Sequence, residues 1–139
     1  QCTKKQTETI KDFYKKNNIK SYVFEFDNDI LKLISSSNLA ITRCGASTTA
    51  ELSQTLTPFI AVPLPHSIDS HQYLNGKYYE DKGYCFFIDQ RDFKTNILFD
   101  LISDTIKNQN KLKIMQENMK KNYNKNVYIN IESQINEFI

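Results

Sequence analysis

The stretch Thr42–His66, TRCGASTTAELSQTLTPFIAVPLPH, decides how the chain is read. It holds Gly45, one of only three glycines among 139 residues. A run of small and hydroxyl side chains follows (Ala46, Ser47, Thr48, Thr49), then a lone acid, Glu51. An apolar segment closed by prolines ends it. Such a sequence reads as strand, tight turn, helix, strand.

Working outward, four segments read as buried strands: Ser21–Phe26 (SYVFEF), Leu39–Cys44 (LAITRC), Phe59–Pro65 (FIAVPLP) and Tyr84–Gln90 (YCFFIDQ). They are rich in β-branched and aromatic residues and bounded by turn formers. Helical patterns alternate with them, over Thr3–Asn17, Asp27–Ser37, Ser47–Leu56 and Asp69–Gly83. Near-continuous apolar strands alternating with helices predict an α/β domain, a Rossmann-like parallel sheet flanked by helices on both faces. Beyond Gln90 no Gly or Pro occurs. The spacing there predicts two or three amphipathic helices, a helical tail over 94–139 of the same single domain, the last helix roughly Tyr128–Phe138. Its Lys-rich middle reads as a solvated face.

Composition narrows the function classes. The chain is 40% hydrophobic and 24% charged, with a net charge of +2. That balance, and sixteen lysines against two arginines, argue against nucleic acid as a partner. Three cysteines without a CxxC pair predict free thiols in a reducing setting. No apolar run reaches the ~18 residues of a membrane span. The first residue is Gln1, so the chain is expected to begin inside a longer protein.

In open α/β sheets, ligands bind beyond the carboxyl ends of the strands. Three loops there carry chemistry. At RCGASTTAE, Gly45 permits a positive φ or close approach of a ligand. The helix start behind it offers unpaired N–H groups to an anion. Glu51, in the first turn or just beyond, can accept from a vicinal diol, or can close a capping box with Thr48. The spacing leaves both open. In PLPHSIDSHQYLN, Asp69 can cap the next helix, while His71, Gln72 and Asn75 can reach sugar hydroxyls. His66, Asp69 and His71 lack a fourth partner and a metal-site spacing, so no metal site is assigned. In FEFDNDI, Asp27 and Asn28 turn the chain, as helix cap or as backbone edges for a flat base.

Together, FEFDNDI, SNLAITRCGASTTAEL and TPFIAVPLPHSIDSHQYLNGKYYEDKG resemble the C-terminal, donor-binding domain of the MurG-type glycosyltransferases of family 28. The resemblance is closest over Gln1–Gln90. It implies half of a GT-B fold, with the acceptor domain, its general base and a Gly-rich phosphate loop upstream of Gln1. It implies UDP-N-acetylglucosamine as donor and lipid-linked N-acetylmuramoyl-pentapeptide (lipid I) as acceptor, in peptidoglycan synthesis. It implies no catalytic residue in this chain, no metal or cofactor, and a peripheral position on the cytoplasmic face of the bacterial inner membrane. Residue by residue, Glu51 matches the acid on the ribose hydroxyls. Ala46, Ser47 and Thr48 match the nucleotide-phosphate region. His71 and Gln72 match the pair at the sugar hydroxyls, and Asp27 the backbone position at uracil. Arg43, Gly45 and Asn75 match architectural positions. Four departures stand out. Cys44 replaces a usual Ser, His71 a usual Gln, Thr57 the Gly that commonly precedes Pro58, and Gly76 the Ala that commonly follows Asn75. Ser47 also stands where an apolar residue is usual. The alternatives are a donor-binding subunit of another lipid-linked N-acetylglucosaminyltransferase, non-catalytic without its partner, and an α/β domain without ligand.

Overall fold

The computed structural model describes residues 1–123. They divide into two units, 1–33 and the part from Ile34 onward. The expected helix Tyr128–Phe138 lies outside the described residues.

The first unit contains α1 (Lys4–Lys16), which opens with a capping box between Thr3 and Gln6. The spacing predicts a strand over Ser21–Phe26, but this segment forms none. A strand exists through its ladder, and among the described residues no strand pairs with it. Instead the Phe24 carbonyl accepts from Cys2 N–H and the Glu25 carbonyl from Gln1 Nε2. Helix α2 (Ile30–Ser35) follows.

The second unit carries the sheet. Strands β1 (Ala40–Thr42), β2 (Phe59–Ala61) and β3 (Cys85–Phe87) are parallel, in the order β1-β2-β3. Between them run α3 (Ala46–Gln54) and α4 (His71–Asp81). Then come α5 (Thr95–Lys107) and α6 (Asn110–Lys121). The α/β parallel-sheet architecture is the one the alternation predicts, with strands shorter than the apolar runs.

Side chains alternate across a strand, so β2 feeds two cores. Phe59 and Ala61 join Cys44, Leu52, Tyr84, Cys85 and Met119 on one face. Ile60 and Val62 join Ile88, with Leu98, Leu101 and Ile102 of α5, on the other. All three β2 residues are buried. Burial on both faces explains why this strand reads as a continuous apolar run.

Two left-handed residues close the helices on this side. Gly83 (φ 68°) ends α4, with Tyr84 N–H donating to the Tyr79 carbonyl and Gly83 N–H to that of Glu80. The same Schellman pattern ends α3, where Thr57 N–H reaches the Leu52 carbonyl and Leu56 takes the left-handed position at φ 56°. The glycine-like conformation before Pro58 therefore falls on Leu56. Thr57 is buried, and its hydroxyl donates to the Ile34 carbonyl at 3.1 Å.

Candidate functional site at the carboxyl edge of the sheet

Beyond Thr42 the chain turns through Arg43–Gly45 into α3. Gly45 is the N-cap residue, with φ −66° and ψ 141°. Its backbone is extended, so the positive-φ reading of this glycine is corrected. A Cβ built on it would meet nothing within 4 Å. Neither torsion nor packing requires glycine here; what its absent side chain leaves is open space at the helix end.

A glycine cap offers no side-chain acceptor. The N–H groups of Ala46, Ser47 and Thr48 precede the first helical bond, which Thr49 N–H makes to the Gly45 carbonyl at 3.0 Å. Ala46 and Ser47 are exposed and Thr48 half-buried. Thr49 faces inward, fully buried, its hydroxyl shared between the Gly45 and Ala46 carbonyls.

Because α3 begins at Ala46, Thr48 is its third residue and Glu51 its sixth. A capping box needs Thr48 at the cap and Glu51 three residues in, so that alternative fails. The Glu51 carboxylate is half-buried and has no hydrogen-bond or ion-pair partner among the described residues.

Helix α4 is set by a different device from the predicted one. Asp69 does not cap it. Asp69 (φ 49°) and Ser70 (φ 54°) are both left-handed, and neither side chain bonds the helix start. Ser67 Oγ accepts from Gln72 N–H at 3.3 Å instead. This cap lies five residues back, across a 3₁₀ turn (Ile68–Ser70), beyond the ordinary cap spacing.

The two sugar-site candidates are anchored by backbone. Gln72 Oε1 accepts from Leu64 N–H at 3.0 Å. His71 Nδ1 lies 2.7 Å from the Ile68 carbonyl. One turn on, Asn75 Nδ2 donates to the Cys44 carbonyl at 3.0 Å and ties α4 to the β1–α3 turn. Helices α3 and α4 pack together. The starts of both helices, with Gly45, Ala46–Thr48, His71 and Gln72, thus lie at the same edge of the sheet. Asp27 belongs to the other unit. There its carboxylate accepts from Asp29 N–H at 2.8 Å and from the Tyr22 hydroxyl at 3.0 Å, an Asx turn in place of a helix cap.

Arg43 braces the edge. One guanidinium nitrogen, Nη1, reaches the Val62 and Pro63 carbonyls at 3.2 Å each and Gln90 Oε1 at 2.6 Å. A shallow depression of about 210 Å³ lies beside it, lined by Ile41, Thr42, Arg43, Val62, Gln90 and Phe93. Nothing in the sequence marked Gln90, Leu64 or Ser67. Their contacts depend on tertiary geometry and leave no local pattern.

The thiols are inert neighbours. Burial pushes Cys44 up to about 11, against a smaller opposing pull from Arg43. Burial pushes Cys85 higher still. Both stay protonated at neutral pH. Gly76 explains one departure: a Cβ there would stand 2.7 Å from Phe87 Cε2 and 3.1 Å from Cys44 Sγ. Among the described residues no three His, Cys, Asp or Glu gather to hold a metal ion. No described helix is long and apolar enough to cross a membrane.

These features define an α/β domain whose polar, anion-compatible loops collect where parallel strands end, the architecture of nucleotide-type sites. The chain belongs to glycosyltransferase family 28: the model of that family's C-terminal domain matches residues 1–131. It is 35% identical over 134 residues to the UDP-N-acetylglucosamine--N-acetylmuramyl-(pentapeptide) pyrophosphoryl-undecaprenol N-acetylglucosamine transferase of Pelagibacter ubique, covering 94% of this chain and 38% of that protein. It is 39% identical over 112 residues to the transferase of that name from Rickettsia prowazekii, covering 79% and 29%. The crystal structure of Acinetobacter baumannii MurG superposes with a TM-score of 0.84 at 27% identity, covering 99% of this chain and 40% of that one. The chain therefore spans about two fifths or less of the length of these relatives.

Proposed function

We propose that this chain is the donor-binding part of an enzyme that transfers N-acetylglucosamine from UDP-N-acetylglucosamine to lipid I, yielding lipid II for bacterial peptidoglycan. The observation that carries the reading is the uncapped start of α3. Three free N–H groups and the open space over Gly45 face the end of β1, with an unpartnered Glu51 one turn on.

In this reading the amides of Ala46, Ser47 and Thr48 meet the diphosphate. Glu51 accepts from the ribose hydroxyls. His71 and Gln72 hold the sugar. Arg43, Gly45 and Asn75 keep the frame. The reaction is an inverting single displacement. The acceptor's C4 hydroxyl attacks the anomeric carbon, the bond to the UDP oxygen breaks, and the hydroxyl proton passes to a general base in the acceptor domain. The positive end of α3 stabilises the negative charge growing on UDP, so the reading requires no metal. The enzyme works peripherally at the cytoplasmic face of the inner membrane, where its lipid-linked acceptor lies.

Calorimetry with UDP-N-acetylglucosamine on the full-length protein tests the donor site, with Glu51→Ala as control. Binding that depends on Glu51 supports the assignment. Absence of binding, or binding indifferent to Glu51, sinks it. Transfer to lipid I then separates the enzyme from a donor-binding subunit that needs a partner.

A further inference from the structure

His71 and Gln72 start the same helical turn, and each is oriented by a backbone group of fixed polarity. The Ile68 carbonyl can only accept, so the ring atom 2.7 Å away, His71 Nδ1, carries the proton. The same carbonyl also accepts from His71 backbone N–H, which occupies its second lone pair. A neutral imidazole has one N–H, so with Nδ1 protonated Nε2 is a bare acceptor. Leu64 N–H can only donate, so the Gln72 atom beside it is the oxygen. The Gln72 amide nitrogen is left to donate. Two independent main-chain contacts thus set opposite polarities on adjacent side chains.

Resting on the donor-binding reading above, we infer that His71 and Gln72 form a polarity-matched pair. His71 Nε2 accepts a hydrogen bond from one sugar hydroxyl, and Gln72 Nε2 donates one to an oxygen beside it. A glutamine at position 71 can donate or accept by turning its amide. A histidine held by Ile68 accepts only. The consequence is a specificity: the hydroxyl over His71 must be a donor, whereas the position over Gln72 tolerates any acceptor. A group that accepts but cannot donate sets its own lone pairs against that of the imidazole, where a hydroxyl would make a hydrogen bond.

Two measurements on the full-length protein test this. The first needs no ligand. Long-range proton–nitrogen NMR of the imidazole at pH 8.5, where an ordinary imidazole is neutral, should show a pyrrole-type Nδ1 and a pyridine-type Nε2. A pyridine-type Nδ1 overturns the inference. The second uses UDP-N-acetylglucosamine and its 3-, 4- and 6-deoxyfluoro analogues, since fluorine replaces a hydroxyl without its proton. One analogue should bind on the order of tenfold more weakly than the natural donor. His71→Gln should restore most of that loss, while Gln72→Glu, which removes the donor, should weaken the natural donor. Identical analogue rankings for the parent and His71→Gln proteins would overturn the inference even though the donor binds. Failure of UDP-N-acetylglucosamine itself to bind would overturn the donor-binding reading, and the pair with it.

Discussion

Asn75 Nδ2 donates to the Cys44 carbonyl at 3.0 Å, a bond between residues 31 positions apart. It fastens the second turn of α4 to the bend between β1 and α3. Asn75→Ala would strip the buried Cys44 carbonyl of that partner. A loss of about 1–3 kcal/mol in urea unfolding is expected. Donor affinity should fall as well, because the starts of both helices lose their mutual register. An unchanged unfolding midpoint would remove Asn75 from the frame.

Gly76→Ala sets two effects against each other. Alanine in a helix interior gains about 1 kcal/mol over glycine. Its methyl, however, would press on the Phe87 ring and on Cys44 Sγ. Phe87 is itself held edge-to-face by Tyr73 and capped by the Lys77 ammonium. Overpacking of a tight core costs about 1–3 kcal/mol. The variant should be less stable in thermal unfolding. A paired Phe87→Leu change should recover part of the loss.

Glu51→Gln should leave stability within about 0.5 kcal/mol of the parent, as for a site without structural partners. In the proposed function the same change weakens UDP-N-acetylglucosamine binding at least tenfold, about 1.4 kcal/mol. Calorimetry and denaturation on one preparation separate the two effects. Adding EDTA should leave affinity unchanged, because helix amides carry the diphosphate charge in this reading.

Asp89 and Cys44 bound the pH range of stability from opposite sides. Arg91 holds Asp89 down to about 2, through its guanidinium at 2.9 and 3.1 Å and then its backbone N–H. A depressed carboxylate favours the fold above its unfolded value near 4, and that contribution vanishes as pH falls toward 2. NMR titration should find Asp89 still ionised at pH 3. Cys44 behaves oppositely: its raised value favours the folded thiol below pH 9, a contribution lost as pH climbs through about 11. At pH 8 iodoacetamide should modify Cys2 far faster than buried Cys44 or Cys85. Modification of all three at one rate would contradict the burial.

Much of this fold is legible in the chain because its signals are local. Apolar runs around Ile60 and Phe86, separated by helical spacing, specify parallel strands without knowledge of their partners. Ser21–Phe26 carries the same composition and forms no strand, since composition cannot supply a neighbour to pair with. At the candidate site, residue types in order pointed to Glu51, His71 and Gln72. The capping box at Glu51 fails because α3 starts at Ala46, and a glycine cap at Gly45 carries no local signature. Ser67 carries no such sign, because a turn with two left-handed residues separates it from the helix it caps. Gln90 carries none, because Arg43 reaches it across the sheet.

That Arg43 contact has a mechanical side. One guanidinium nitrogen grips the segment leaving β2 at two carbonyls and the segment leaving β3 at a side chain, while its own backbone continues β1. The three exits from the sheet are therefore tied at a single rivet. None can swing outward alone without straining a bond to the others, so this rim moves in lockstep or stays still.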